Sequence, residues 1–207
     1  MDTVVRSALV SGYRLFDCAH VYENEAAIGS FLAKYSRVLE IPRKDMFLVS
    51  KLWNTHHRPE LVPKACEQTL TNLKLDYLDL YLVHWPVSLG KICFLLMRED
   101  SGVTMPFLLK KLGGKEENLL NLPTVRELAA KYGKTPGQIL LRHAIQRGLI
   151  AIPKSSNPER IKENISIFDF TLLPDDMSAL LAVSKNIRTV KPEIMRHHPE
   201  YPFNDEF

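Results

Sequence analysis

The chain has 207 residues, 45% of them hydrophobic, which is enough to bury a core, and a net charge of only +3 without any Lys/Arg block to suit a nucleic acid. Its three cysteines, Cys18, Cys66 and Cys93, are far apart and lack CxxC or metal spacing, so they read as reduced thiols of a cytoplasmic protein without a metal. No signal-peptide pattern opens the chain and no uncharged apolar run suffices to span a bilayer, so the sequence excludes a membrane role.

From Met1 to Ser11, Val4, Val5, Ala8 and Leu9 recur at helical spacing and run into Gly12. The stretch GYRLFDCAHVYENEAAIG, Gly12 to Gly29, then begins as a buried strand through Tyr13, Leu15, Phe16, Cys18 and Ala19. Asp17 interrupts that strand near its end, and Tyr22 follows five residues later. A helix is predicted from about Asn24, with Ala27, Ile28, Phe31, Leu32 and Tyr35 on its inner face. A second strand, Met46 to Trp53, carries Lys51 near its end. The helix after it, about Pro59 to Leu73, turns Val62, Ala65, Cys66, Thr69, Leu70 and Leu73 inward and tolerates Pro63 in its first turn. A third strand, Leu78 to Trp85, ends in His84, and Pro86 stops it. Strands apolar on both faces, alternating with helices, predict a parallel sheet covered by helices.

Between Val87 and Leu122 periodicity fades, and Lys91 to Met97 reads as a strand or a short buried helix. A helix from Thr124 to Tyr132 is ended by Gly133. Thr135, Pro136 and Gln138 then form a capping-box signature for a helix reaching about Arg147, with Gly148 beyond it. Leu149 to Pro153 reads as a short buried strand leading to Lys154 and Ser155. Asn157 caps a further helix that starts with Pro158, and a last helix, Pro174 to Ser184, precedes a Pro- and His-rich tail. The length suits a single domain over residues 1–207.

Parallel sheets place their sites beyond the C-terminal ends of the strands, where Asp17, Lys51 and His84 all fall, with Tyr22 in the adjoining loop. Singly, each has a structural reading: a packed tyrosine, a hydrogen-bonded histidine, a buried Asp17–Lys51 ion pair. Together they suit acid–base work. An ammonium beside a phenol lowers its pKa, a carboxylate keeps the ammonium charged, and an imidazole orients a polarised oxygen. At the other candidate site Lys154, Ser155 and Arg160 surround the start of the helix capped by Asn157, an arrangement that attracts a phosphate monoester. A capped surface helix with ordinary charges is the alternative there.

GYRLFDCAHVYENEAAIG and IPKSSNPERIKEN resemble two signature regions of the aldo-keto reductases. VSKLW and YLDLYLVHWP resemble the strands between them, and HPEYPFNDEF is similar to the tails of aldehyde and aldose reductases. The resemblance covers residues 1–86 and 119–207, while 87–118 diverge. It implies a (β/α)8 barrel that reduces aldehydes and ketones with NADPH. Tyr22 would be the proton donor, Lys51 and Asp17 its tuning pair, and His84 the carbonyl-orienting residue. Lys154, Ser155, Asn157, Arg160, Glu163 and Asn164 match the positions around the adenosine 2′-phosphate and adenine, and Trp53 and Trp85 match aromatic walls of the substrate pocket. A small carbonyl substrate follows from the same resemblance; a monomer is expected, and the composition already points to a cytoplasmic chain with no nucleic-acid or membrane partner. It places the family's first strand ahead of Met1 and three more where 87–118 stand. What remains is an incomplete barrel of about four parallel strands, the second, third, fourth and eighth, with the eighth beside Gly12–Ala19. The missing stretch would hold the carboxamide and pyrophosphate, so a non-catalytic chain with partial nucleotide or partner binding is the alternative reading.

Overall fold

An apolar run becomes a strand only where a neighbour takes its backbone hydrogen bonds, and that condition decides which predicted strands form. The computed structural model describes residues 1–89, 119–184, 195–199, 201 and 204. They belong to two compact units, one holding 1–89 with the tail residues and the other 119–184.

In the first unit helix α1 (Asp2–Val10) turns Val5 and Leu9 inward and feeds β1 (Leu15–Asp17). Helix α2 (Glu25–Val38), β2 (Phe47–Leu52), α3 (Val62–Leu73) and β3 (Leu80–Val83) follow. The sheet is parallel with order β1-β2-β3. β1 is shorter than its apolar run, although the Cys18 N–H still donates to the Val49 carbonyl at 2.8 Å. Beyond β3 the His84 N–H likewise donates to the Leu52 carbonyl at 3.0 Å. Val5, Leu9, Leu32, Tyr35, Met46 and Leu48 form the core between sheet and helices, each large side chain contributing about 1.5–3 kcal/mol by leaving water. The buried stripe of α2 is Glu25, Gly29, Leu32 and Tyr35, and Ala27, expected inside, is exposed. Gly29 allows backbone-to-backbone packing: a Cβ there would meet the Leu73 carbonyl oxygen at 2.4 Å. In the tail, Met195 and Tyr201 cluster with Val87.

The second unit contains α4 (Pro123–Tyr132), α5 (Pro136–Gln146), α6 (Pro158–Ile165) and α7 (Pro174–Ala182). Gly133, at φ +61°, ends α4 in the left-handed conformation that a residue without Cβ adopts freely. Both halves of the Thr135–Gln138 capping box are made. The Gln138 side-chain amide also donates to the carbonyls of Glu163 at 3.2 Å and Ser166 at 2.8 Å. Leu122, Val125, Leu128, Ala129, Ile139, Leu172 and Leu180 make the core of this unit.

The fourth strand expected at Leu149–Pro153 does not form. Residues 149–153 adopt no strand, the sheet has three strands among the described residues, and Ile150 is 78% exposed. Without a neighbouring ladder an apolar run has nothing to hold it extended. Among the described residues the sheet therefore has three strands, one fewer than expected. The reading of Lys91–Met97, and Cys93 with it, lies outside the described residues. No helix among the described residues is long and apolar enough to cross a membrane.

Candidate active site

Side chains alternate along a strand, and residues paired across parallel strands point to the same face. Asp17 pairs with Val49, and Lys51, two residues on, pairs with Leu82; His84 lies two beyond Leu82. The register therefore puts Asp17, Lys51 and His84 on one face at one end of the sheet. Tyr22 comes to the same place on the 3-10 turn His20–Tyr22, whose last N–H donates to the Ala19 carbonyl at 3.0 Å.

Lys51 Nζ donates to Asp17 Oδ1 at 2.6 Å and to the Cys18 carbonyl at 2.8 Å. It also lies 5.2 Å from the centre of the Tyr22 ring. The His84 ring meets the Tyr22 ring edge-on, with centroids 5.7 Å apart. Trp53 lies edge-on to the same imidazole at 5.3 Å, and Trp85 stacks parallel to it at 6.1 Å. All six side chains singled out in the first unit are thus drawn together. Two nitrogens, His84 Nδ1 and Trp53 Nε1, are buried without a hydrogen-bond partner among the described residues.

The electrostatics depart from the expectation in one respect. The phenol of Tyr22 is pushed up to about 12 instead of down, first by burial and then by the negative charge of Asp17. The ammonium that was expected to lower it is held at 2.6 Å by Asp17, which offsets its field at the ring. His84 is driven down to about 4, first by burial and then by the Lys51 charge, so its imidazole is neutral at physiological pH. Burial also pushes the Cys18 thiol up to about 12, which leaves it unreactive.

The second group of residues lies in the second unit. Asn157 caps α6, its Oδ1 accepting from the N–H groups of Glu159 at 2.9 Å and Arg160 at 3.2 Å. Ser155 Oγ accepts from the Asn157 N–H at 3.1 Å. Lys154 and Arg160 are exposed and form no ion pair among the described residues. Glu163 and Asn164 follow Arg160 at helical spacing of three and four, on its side of α6. Two uncommitted cations beside a helix start fit a phosphate, although the cap already occupies two of the helix amides.

Sequence reasoning missed Glu25, which is 3% exposed and accepts hydrogen bonds from Ser50, Thr69 and Asn72. The signal was present: positions 25, 29 and 32 share a helical stripe, so an acid stands on an apolar face. The Cys18 carbonyl that receives Lys51 is backbone and leaves no trace in residue type.

The family model for the aldo/keto reductase family matches residues 2–97 and 97–185. Mouse aldo-keto reductase family 1 member A1 is 33% identical over 297 positions, spanning 100% of this chain and 91% of the mouse protein. That alignment is longer than the 207-residue chain, so the relative carries segments with no counterpart here. The solved aldose reductase of Schistosoma japonicum is 35% identical with a TM-score of 0.84, covering 100% of this chain and 91% of that one. A Bombyx mori aldo-keto reductase solved in complex with NADP is 28% identical, also with a TM-score of 0.84, covering 97% and 88%. By its sequence, its parallel strands and its likeness to these enzymes, the chain belongs to the aldo/keto reductase family of NADP-dependent oxidoreductases, with a sheet of three strands among the described residues.

Proposed function

We propose that this chain reduces aldehydes and ketones to alcohols with NADPH, as a cytoplasmic monomer acting on small carbonyl compounds. The observation that most supports this reading is the grouping of Tyr22, Lys51, Asp17 and His84 at one end of a sheet face, with Lys51 Nζ 5.2 Å from the phenol ring. When bound, NADPH supplies the hydride that reaches the carbonyl carbon. Tyr22 gives its hydroxyl proton to the carbonyl oxygen: the phenol O–H bond breaks as the alcohol O–H bond forms, and solvent later reprotonates the phenolate. A phenol held at about 12 remains protonated until that moment and is still far more acidic than an alcohol. Lys51 stabilises the transient phenolate, and Asp17 keeps the ammonium charged and aimed. His84, neutral, presents a single N–H to the carbonyl oxygen and holds it toward Tyr22. Trp53 and Trp85 exclude water around it.

Lys154, Ser155, Asn157 and Arg160 would hold the 2′-phosphate, and Glu163 and Asn164 the adenine. Tyr22→Phe is expected to lower aldehyde-dependent NADPH oxidation by about 10²–10⁴-fold. An unchanged rate would remove Tyr22 from the mechanism.

A second reading, nucleotide binding without turnover, is favoured by a sheet of three strands among the described residues and by the unmatched segments of the relatives. Because Trp53 and Trp85 flank His84, quenching of tryptophan fluorescence by NADPH with no oxidation would select it.

A further inference from the structure

The turn that carries Tyr22 has an anchor for which the reaction itself has no use. Glu25 is 3% exposed, yet among the described residues no cationic group forms an ion pair with it. Its carboxylate instead accepts from three neutral groups: Ser50 Oγ at 2.7 Å, Thr69 Oγ1 at 3.3 Å and Asn72 Nδ2 at 3.3 Å. A buried carboxylate is costly, and neutral donors compensate it only where they are held in place. Here they are, because Ser50 belongs to β2 and Thr69 and Asn72 to α3, while Glu25 opens α2. Gly29, one turn further on, seats α2 directly against the Leu73 backbone.

The positions of these residues in the chain give the anchor its meaning. Ser50 immediately precedes Lys51, and Glu25 is three residues beyond Tyr22. Between Tyr22 and Glu25 the backbone is strained, since Glu23 has φ +51°, the left-handed region that a residue with a side chain adopts at a cost. Asn24, at the N-cap of α2, makes no side-chain capping bond, and its Oδ1 is buried without a hydrogen-bond partner. The bond that ordinarily fixes a helix start is therefore missing, and those of Glu25 stand in its place.

We propose that Glu25 is a positioning residue for the acid–base site: through Ser50 it locks the strained Tyr22 turn to β2 and so sets the separation between the phenol ring and the Lys51 ammonium. Its catalytic meaning rests on the carbonyl-reduction reading, whereas the geometric claim can be tested without turnover. NMR of the full chain carrying ¹³C at lysine Cε reads the Tyr22 ring current on Lys51, with Tyr22→Leu as the reference lacking the ring. Ser50→Ala is expected to move the Lys51 resonance toward that reference. Thr69→Val also deletes a hydroxyl bond to Glu25, but from α3, and is expected to lower the melting temperature while leaving the resonance in place. The isosteric Glu25→Gln should move it the same way by a smaller amount, and it decides alone if Ser50→Ala does not fold. An unmoved resonance in the folded variants among Ser50→Ala and Glu25→Gln, or an equal displacement in Thr69→Val, overturns the proposal. In aldehyde reduction Ser50→Ala should lower kcat by about ten- to a hundredfold with KM little changed; a raised KM at unchanged kcat counts against it. A parent chain with no turnover would defeat the carbonyl-reduction reading and leave the NMR result standing.

Discussion

His84 is enclosed by three aromatic rings and faces a lysine, so its neutral form belongs to the folded state. Its pKa is about 4 when folded and near the ordinary 6.5 when unfolded. Above about 6.5 neither state is protonated and nothing is lost. As pH falls from there toward 4, the unfolded chain takes up a proton that the folded chain refuses, and stability declines; below about 4 the loss stops. Denaturant melts at pH 7, 5.5 and 4 should show a steeper decline for the parent than for His84→Gln. Equal slopes would mean that the ring is solvated. The grouping was legible: Asp17, Lys51 and His84 stand at strand ends with Tyr22 in the adjoining loop, and the structure brings the four side chains together. Their energetics were not: the phenol moves up first because it is buried and then because of the negative charge of Asp17, which holds Lys51 at 2.6 Å.

At the scale of elements, the contact between α2 and α3 depends on one position. Replacing Gly29 by Ala puts a methyl group 2.4 Å from the Leu73 carbonyl oxygen, where only backbone movement can relieve it. Such overpacking costs typically about 1–3 kcal/mol, and a denaturant melt of Gly29→Ala should show a loss of that size. A smaller one would mean that the helices separate easily. Local chemistry made most elements legible. Thr135, Pro136 and Gln138 announce the start of α5, and both capping-box bonds are present; Gly133 ends α4 and Asn157 opens α6 as anticipated. Strands were harder, because an apolar run shows what would be buried but not what will pair with it. Tyr13–Ala19 therefore yields only Leu15–Asp17, and Leu149–Pro153 yields no strand. Glu25 escaped notice because an acid in a first helical turn is ordinarily a response to the helix dipole.

On the scale of the whole molecule, both units leave apolar side chains in water. Leu80, Leu82 and Val83 of β3 are exposed, and so are Leu149, Ile150 and Ile152 in the second unit. Such surface promotes association without contributing to the fold. Ile150→Lys is accordingly expected to change unfolding free energy by no more than about 0.5 kcal/mol while raising the concentration at which light scattering begins. A marked destabilisation would show that Ile150 is covered in solution.

Within the second unit, one glutamine ties the start of α5 to the end of α6. Gln138 receives the Thr135 N–H through its oxygen and, through its nitrogen, ties down the Glu163 and Ser166 carbonyls at the rear of α6. The helix is eight residues long, roughly 12 Å at 1.5 Å per residue. The bearing of its front end, where Asn157 and Arg160 lie, is thus steered from the stern by a side chain hydrogen-bonded to neither.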